Sequence, residues 1–116
     1  MALPPAAPPL PSSPAALQGV RVIEMGQLIA GPFCGKTLGE FGADVIKIEA
    51  PETGDPLRNW RLIKEGTSVW WQVQSRNKRS VALDLRQKEG QAIARQLIAE
   101  ADVLVENFRP GTLEGW

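Results

Sequence analysis

Three short stretches of this chain hold the residue types best suited to chemistry. Asn107-Phe108-Arg109-Pro110-Gly111 sets an amide, an aromatic ring and a guanidinium side by side. Such a trio can stack on a purine and hydrogen-bond its edge, while Pro110-Gly111 equally makes a rigid turn. Arg76, Lys78, Arg79, Arg86 and Lys88 form a basic cluster around one acid, Asp84. Guanidinium and ammonium groups suit phosphates; the alternative is a solvated surface in which Asp84 pairs with one of these bases. The third stretch, Gly26–Pro32, precedes a helix candidate. A helix amino terminus at Gly31–Phe33 would face a negative or carbonyl-bearing group, whereas glycines there also permit close helix–strand packing. Glu49, Glu52, Asp55 and Glu106 are candidate general acids or bases, with Glu106 expected to anchor its own loop. Cys34 is expected to be a small buried hydrophobe, since no base lies near it in sequence to activate it.

Composition narrows the chemistry. The chain has 116 residues, 13 Lys+Arg against 13 Asp+Glu, no histidine and one cysteine. A His-based triad within the chain is excluded, a disulfide framework is excluded, and a structural zinc site is disfavoured. Zero net charge gives no sign of a nucleic-acid partner. No run approaches the roughly 18 apolar residues of a membrane span. Gly26, Gly31 and Gly35 do not make the dinucleotide pattern G-x-G-x-x-G, and the Walker glycine-lysine-serine run is absent. Glu49 nevertheless stands where a ribose-binding acid would sit in a nicotinamide enzyme.

The elements that must position these stretches read as α/β. Residues 1–16 hold six of the ten prolines and no charge, so they are expected to be a disordered tail of polyproline II character. They make a poor signal peptide or presequence, lacking a basic start. Strands are expected at Val20–Met25, Ala43–Ile48, Ser80–Leu85 and Asp102–Glu106, being short, β-branched and bounded by glycine or polar turns. A helix is expected over Pro32–Phe41, with Phe33, Leu38 and Phe41 inward, and ends at Gly42. A second runs over Gln87–Ala101 with Ala92, Ile93, Leu97 and Ile98 as its apolar stripe. Arg58–Trp71, with three of the four tryptophans, reads either as a short helix or as an extended excursion whose rings need cover. A mainly parallel sheet follows, and it places the loops Gly26–Pro32, Glu49–Asp55 and Asn107–Gly111 beyond carboxyl strand ends, the default binding position. Four strands and two helices are few for such a sheet, so the chain is expected to be a fragment.

In order along the chain, Leu17–Gly19 with Val22–Glu24, Ala30-Gly31-Pro32-Phe33, Gly42–Glu49 and Gly54-Asp55 form one series of motifs. Asn77-Lys78-Arg79-Ser80, Leu83-Asp84-Leu85 and Glu106–Gly111 continue it. Together they resemble the class III coenzyme A transferases, a family that includes carnitine- and formyl-type transferases and the α-methylacyl-CoA racemases. The resemblance runs from Leu17 to Trp116. It implies that residues 17–116 are the amino-terminal part of a Rossmann-like CoA-binding domain, in an interlocked, cytoplasmic homodimer. It implies transfer of CoA between an acyl-CoA and a free carboxylic acid through anhydride and thioester intermediates on an aspartate carboxylate. That aspartate lies downstream in the family, so no catalytic residue is assigned within this chain. CoA is a substrate, and no tightly bound cofactor or metal is implied.

The CoA-contacting positions implied are Gln27, Leu28, Ile29 and Ala30 near the pantetheine and thioester, Leu85 and Arg86 beside the nucleotide, and Asn107, Phe108 and Arg109 at adenine and phosphate. Leu83 belongs to the same segment as Leu85. Ile29 replaces a glutamine of the formyl-type enzymes, Ala50 replaces an arginine that often follows Glu49, and Gly115 stands where a basic residue is expected. Two rival functions remain: an α-methylacyl-CoA racemase, and a non-catalytic truncated nucleotide-binding or interaction module. The full Asn77–Ser80 and Glu106–Gly111 runs favour the transferase.

Overall fold

The computed structural model describes residues 13–116; the proline-rich tail therefore lies, up to residue 12, outside the described residues. Strand β1 (Arg21–Glu24) pairs in parallel with β2 (Asp44–Glu49), setting Val22 opposite Val45 and Glu24 opposite Lys47. After a hairpin of β3 (Ile63–Lys64) and β4 (Thr67–Ser68), β5 (Lys78–Ala82) pairs with β2 and β6 (Val103–Val105) with β1, both in parallel. The order β5-β2-β1-β6 grows outward from β1 and then returns to its other side. The reversal between β1 and β6 is the topological switch point, where α/β sheets open a crevice at their carboxyl ends.

Alternation along the strands gives the sheet two unlike faces. Ile23, Met25 and Ile48 form one apolar cluster with Ala94 of helix α3 (Lys88–Ala99), and Leu83, Leu97 and Ile98 pack against it. Val22 and Val45 form the other with Ala43 and Leu38 of helix α1 (Ala30–Glu40). Towards the carboxyl ends this second face turns ionic at Glu24, Lys47 and Glu49, all buried.

Both helices keep part of the expected apolar stripe inward, Leu38 in α1 and Leu97 and Ile98 in α3, but centre their contact on smaller residues. In α1 the buried residues are Gly31, Pro32 and Gly35, and Phe33 and Phe41 are more than half exposed. The reason is close approach: a Cβ on Gly35 would collide with the Glu24 carboxylate. Cys34, on the outer side of the same helix, is exposed rather than buried. In α3 the buried residues are Gly90 and Ala94, and Ile93 and Ala92 face out. Gly90 rests on the Asp84 backbone, where a side chain would not fit. The third strand begins two residues earlier than its β-branched core suggests and ends at Ala82, because Lys78 and Arg79 pair with Val45 and Ile46 of β2.

The irregular region resolves into three pieces. Asp55 caps a 3-10 turn at Pro56–Asn59 by accepting from the Leu57 amide. Glu65 and Gly66, both with positive φ (51° and 76°), close the β3–β4 hairpin, as a two-residue turn requires. Helix α2 (Val69–Gln74) starts at Ser68, whose Oγ accepts from the Trp71 amide. The tryptophans cover one another in part: Trp60 and Trp70 meet edge-on at 5.6 Å, and the Arg58 guanidinium lies 3.9 Å from the Trp71 ring centre. Among the described residues no helix is long and apolar enough to cross a membrane, and no cluster of metal-ligating side chains occurs.

Candidate functional site

The three loops after β1, β2 and β6 meet at the switch point. Asn107 joins the first and last: its Oδ1 accepts from the Gln27 amide at 2.7 Å and its Nδ2 donates to the Gln27 carbonyl at 3.0 Å. This side-chain amide therefore copies a strand-like pairing onto Gln27 where the β1–β6 ladder has ended. Gly26 and Gly31 make room for it, since a Cβ on either would approach Asn107 Oδ1 to 3.0 Å or less. Close packing and loop placement thus share one cause.

A cleft of about 140 Å³ opens beside this staple, lined by Gln27, Ile48, Leu85, Arg86, Phe108 and Trp116 among others. Of the residues read from the sequence as contacting CoA, Gln27, Leu85, Arg86 and Phe108 thus share one wall-to-wall space. Phe108 is held by its amide donating to Glu106 Oε2 and by an edge-on contact with Trp116 at 5.3 Å; Glu106 anchors its loop as expected. Arg86 is exposed and donates to Asp84 through Nε and NH2 at 2.8 and 3.0 Å. Those hydrogen bonds hold the Asp84 carboxyl below its usual range.

The other candidates stand apart from that cleft. Arg109 lines a separate groove with Glu106, Pro110 and Glu114. Leu28 sits at φ 61° with its side chain partly exposed. Ile29 caps α1 through its backbone, its carbonyl accepting from the Phe33 amide, and Ala30 begins the helix. The basic cluster does not exist as a unit. Lys78 is buried, Arg79 grips Asp44, and Arg76 pairs with Glu40 on the surface. Lys78 and Arg79 diverge because alternate strand residues point to opposite faces, and Arg76 lies in the turn before the strand.

Beneath the loops lies a set of charged groups that the motifs did not single out as a unit. Lys47 Nζ contacts Glu24 Oε1, Asp55 Oδ2 and the Gly26 carbonyl, each at 2.8 Å. Lys78 Nζ contacts Glu24 Oε2 at 2.7 Å and donates to the Pro32 carbonyl at 2.8 Å. Two carboxylates and two ammonium groups, all but fully buried, so balance one another. Burial pulls the Lys78 pKa down, against the hydrogen bond and charge of Glu24 that raise it. Beside them Glu49 accepts from Arg58 Nε and NH2, Ser80 Oγ and the Asp55 amide. Burial works to raise the Glu49 pKa, but these bonds prevail and lower it to about 2. Glu49 is therefore not a free ribose acceptor. The signal for this network was present in the sequence as a Glu and a Lys near the ends of strands otherwise apolar, since charges inside a buried parallel sheet must be paired.

The chain is similar in sequence and fold to known proteins. Succinyl-CoA–D-citramalate CoA-transferase of Chloroflexus aurantiacus is 53% identical over 104 residues, which cover 89% of this chain and 26% of that protein. The alpha subunit of succinyl-CoA–L-malate CoA-transferase from the same organism is 48% identical over 102 residues, covering 86% of this chain and 24% of its own. The crystal structure of a CAIB/BAIF family protein from Brucella suis superposes with a TM-score of 0.80 at 42% identity, over 89% of this chain and 28% of that one. The chain thus spans about a quarter of the length of the relatives it matches. With residues 17–116 matching throughout, the chain belongs to CoA-transferase family III.

Proposed function

We propose that residues 17–116 form the CoA-binding part of an enzyme that moves coenzyme A between carboxylic acids. The observation that carries this reading is the convergence of Gln27, Leu85, Arg86 and Phe108 on one cleft at the sheet's switch point. An aromatic edge, an apolar floor and a guanidinium suit a purine nucleotide. Leu28, Ile29 and Ala30, at the start of α1, extend the same rim toward the thioester, with Asn107 holding the rim in place. Arg109, in its neighbouring groove, is assigned to phosphate.

The acyl acceptor is an aspartate carboxylate outside this segment, which attacks the thioester to give an anhydride and release CoA thiolate, then is regenerated through an enzyme thioester. The acids at the cleft support this placement. Glu24, Glu49 and Asp55 are each held by two or more partners within the fold. The molecule acts as an interlocked homodimer in the cytoplasm. Exposed Phe33, Phe41, Leu62 and Ile63 call for cover by further chain, and the free thiol of Cys34 suits a reducing compartment.

The test uses the full-length protein with succinyl-CoA, the donor named in the relatives above, and a panel of dicarboxylic and hydroxy-dicarboxylic acids. CoA exchange with ping-pong kinetics is expected. Exchange of an acyl-CoA α-proton without transfer would instead establish a racemase, and CoA binding without either reaction would establish a non-catalytic module.

A further inference from the structure

We propose that Asp55 is a positioning residue, whose carboxylate sets the backbone of the Gly26–Pro32 loop before any ligand arrives; this rests on the function proposed above. Side chains from other elements anchor the loop's main chain at several points. Lys47 Nζ holds the Gly26 carbonyl, Asn107 holds both Gln27 backbone groups, and Lys78 Nζ holds the Pro32 carbonyl. Between them, Leu28 lies in the left-handed region at φ 61°, a conformation that a branched side chain does not choose unaided. The Leu28 amide donates to Asp55 Oδ1 at 3.0 Å. The same oxygen caps the 3-10 turn through the Leu57 amide at 2.8 Å, and the other oxygen contacts Lys47 Nζ at 2.8 Å.

One buried carboxylate therefore joins the loop after β2 to the loop after β1. Its own amide is tied to Glu49 Oε2 at 2.9 Å, which fixes where it can reach. A rim residue held in a strained conformation by a buried charge is preorganised: its amides and carbonyls do not have to be ordered when the thioester binds. Gly54 at φ 64°, packed against Arg58 and Glu49, makes the turn that brings Asp55 inward.

Asp55→Ser separates this role from simple capping. Serine is a good helix cap and keeps an acceptor for the Leu57 amide, but it is too short to serve Leu28 and Lys47 as well. Asp55→Asn keeps an oxygen of the same reach. Both would be made in the full-length protein and read by amide hydrogen exchange and by calorimetric titration with CoA. In Asp55→Ser, exchange protection is expected to fall in residues 26–32 while that of α3 stays, and CoA affinity to drop by about tenfold through lost preorganisation. Asp55→Asn, whose oxygen can still serve the Leu28 and Leu57 amides while the charge on Lys47 is lost, is expected to recover part of the protection in residues 26–32. Unchanged protection in Asp55→Ser, protection lost equally across α3, or no recovery in Asp55→Asn would each overturn the proposal. If the unaltered protein does not bind CoA, the functional reading fails, while the exchange measurement still decides the role of Asp55.

Discussion

The two faces of the sheet use the same backbone for opposite purposes. Against α3, Ile23, Met25 and Ile48 meet Ala94 and Leu97 in contacts that are non-directional and tolerant of shape. Against α1, Glu24, Lys47, Asp55 and Lys78 meet in contacts that depend on placement to within fractions of an ångström. The apolar face holds the sheet to its helix; the ionic face also holds the loops, because its ammonium groups donate to the Gly26 and Pro32 carbonyls. A buried ion network is weak evidence for stability as such, since desolvation offsets its attraction. Its value here is that charges reach past the sheet and specify loop geometry, which methyl groups cannot do.

Removing one charge is the most severe test of that contrast. Lys47→Met in the full-length protein should cost about 3–5 kcal/mol in denaturant unfolding, because buried Asp55 loses its cation and Glu24 keeps only Lys78. A cost no larger than that of an aliphatic trim would show the network to be dispensable. Acid probes the same face. Glu49 has a folded pKa of about 2 against an ordinary 4.5, so its contribution is complete above pH 4.5 and fades as the pH falls through the folded value. The stability gap between the unaltered protein and Glu49→Gln should therefore narrow steadily between about pH 4.5 and 2, followed by circular dichroism. A gap independent of pH over that window would mean that Glu49 is no better held in the fold than in the unfolded chain.

Gly35→Ala sharpens the comparison at the helix contact. Its methyl would enter the Glu24 carboxylate and force α1 outward, at a cost of about 1–3 kcal/mol visible in the thermal midpoint. On the apolar face, Ile23→Val should cost only about 0.5–1.5 kcal/mol by denaturant unfolding, despite complete burial. The smallest effect belongs to the surface. Arg79→Gln breaks a bidentate pair with Asp44 that water and salt already screen, so a loss of about 1 kcal/mol at most is expected.

Where the sequence reading succeeded, the information was local. The Gly19 and Gly42 turns, the β-branched runs and the Glu106-Asn107-Phe108 order are properties of neighbours in the chain, and β1, β2, β6 and the last loop fall close to where those neighbours put them. It failed at the helix faces for one physical reason. Apolar periodicity assumes that the largest side chains go inward, yet Phe33 and Ile93 yield to Gly35 and Ala94 because the helices approach the sheet too closely for bulk. The basic cluster failed likewise, since adjacency in sequence says nothing about which strand face a lysine takes.

The amino-acid order alone settles the alternation that makes one parallel sheet, its membership of a family, and the absence of histidine chemistry from this chain. The partnership of Glu24 with Lys47 and Lys78, and the reach of Asp55 to Leu28, exist only once segments distant in the chain are packed together. A charge buried in a sheet can be neutralised by any opposite charge within reach, and it is the register of the strands that decides which one that is.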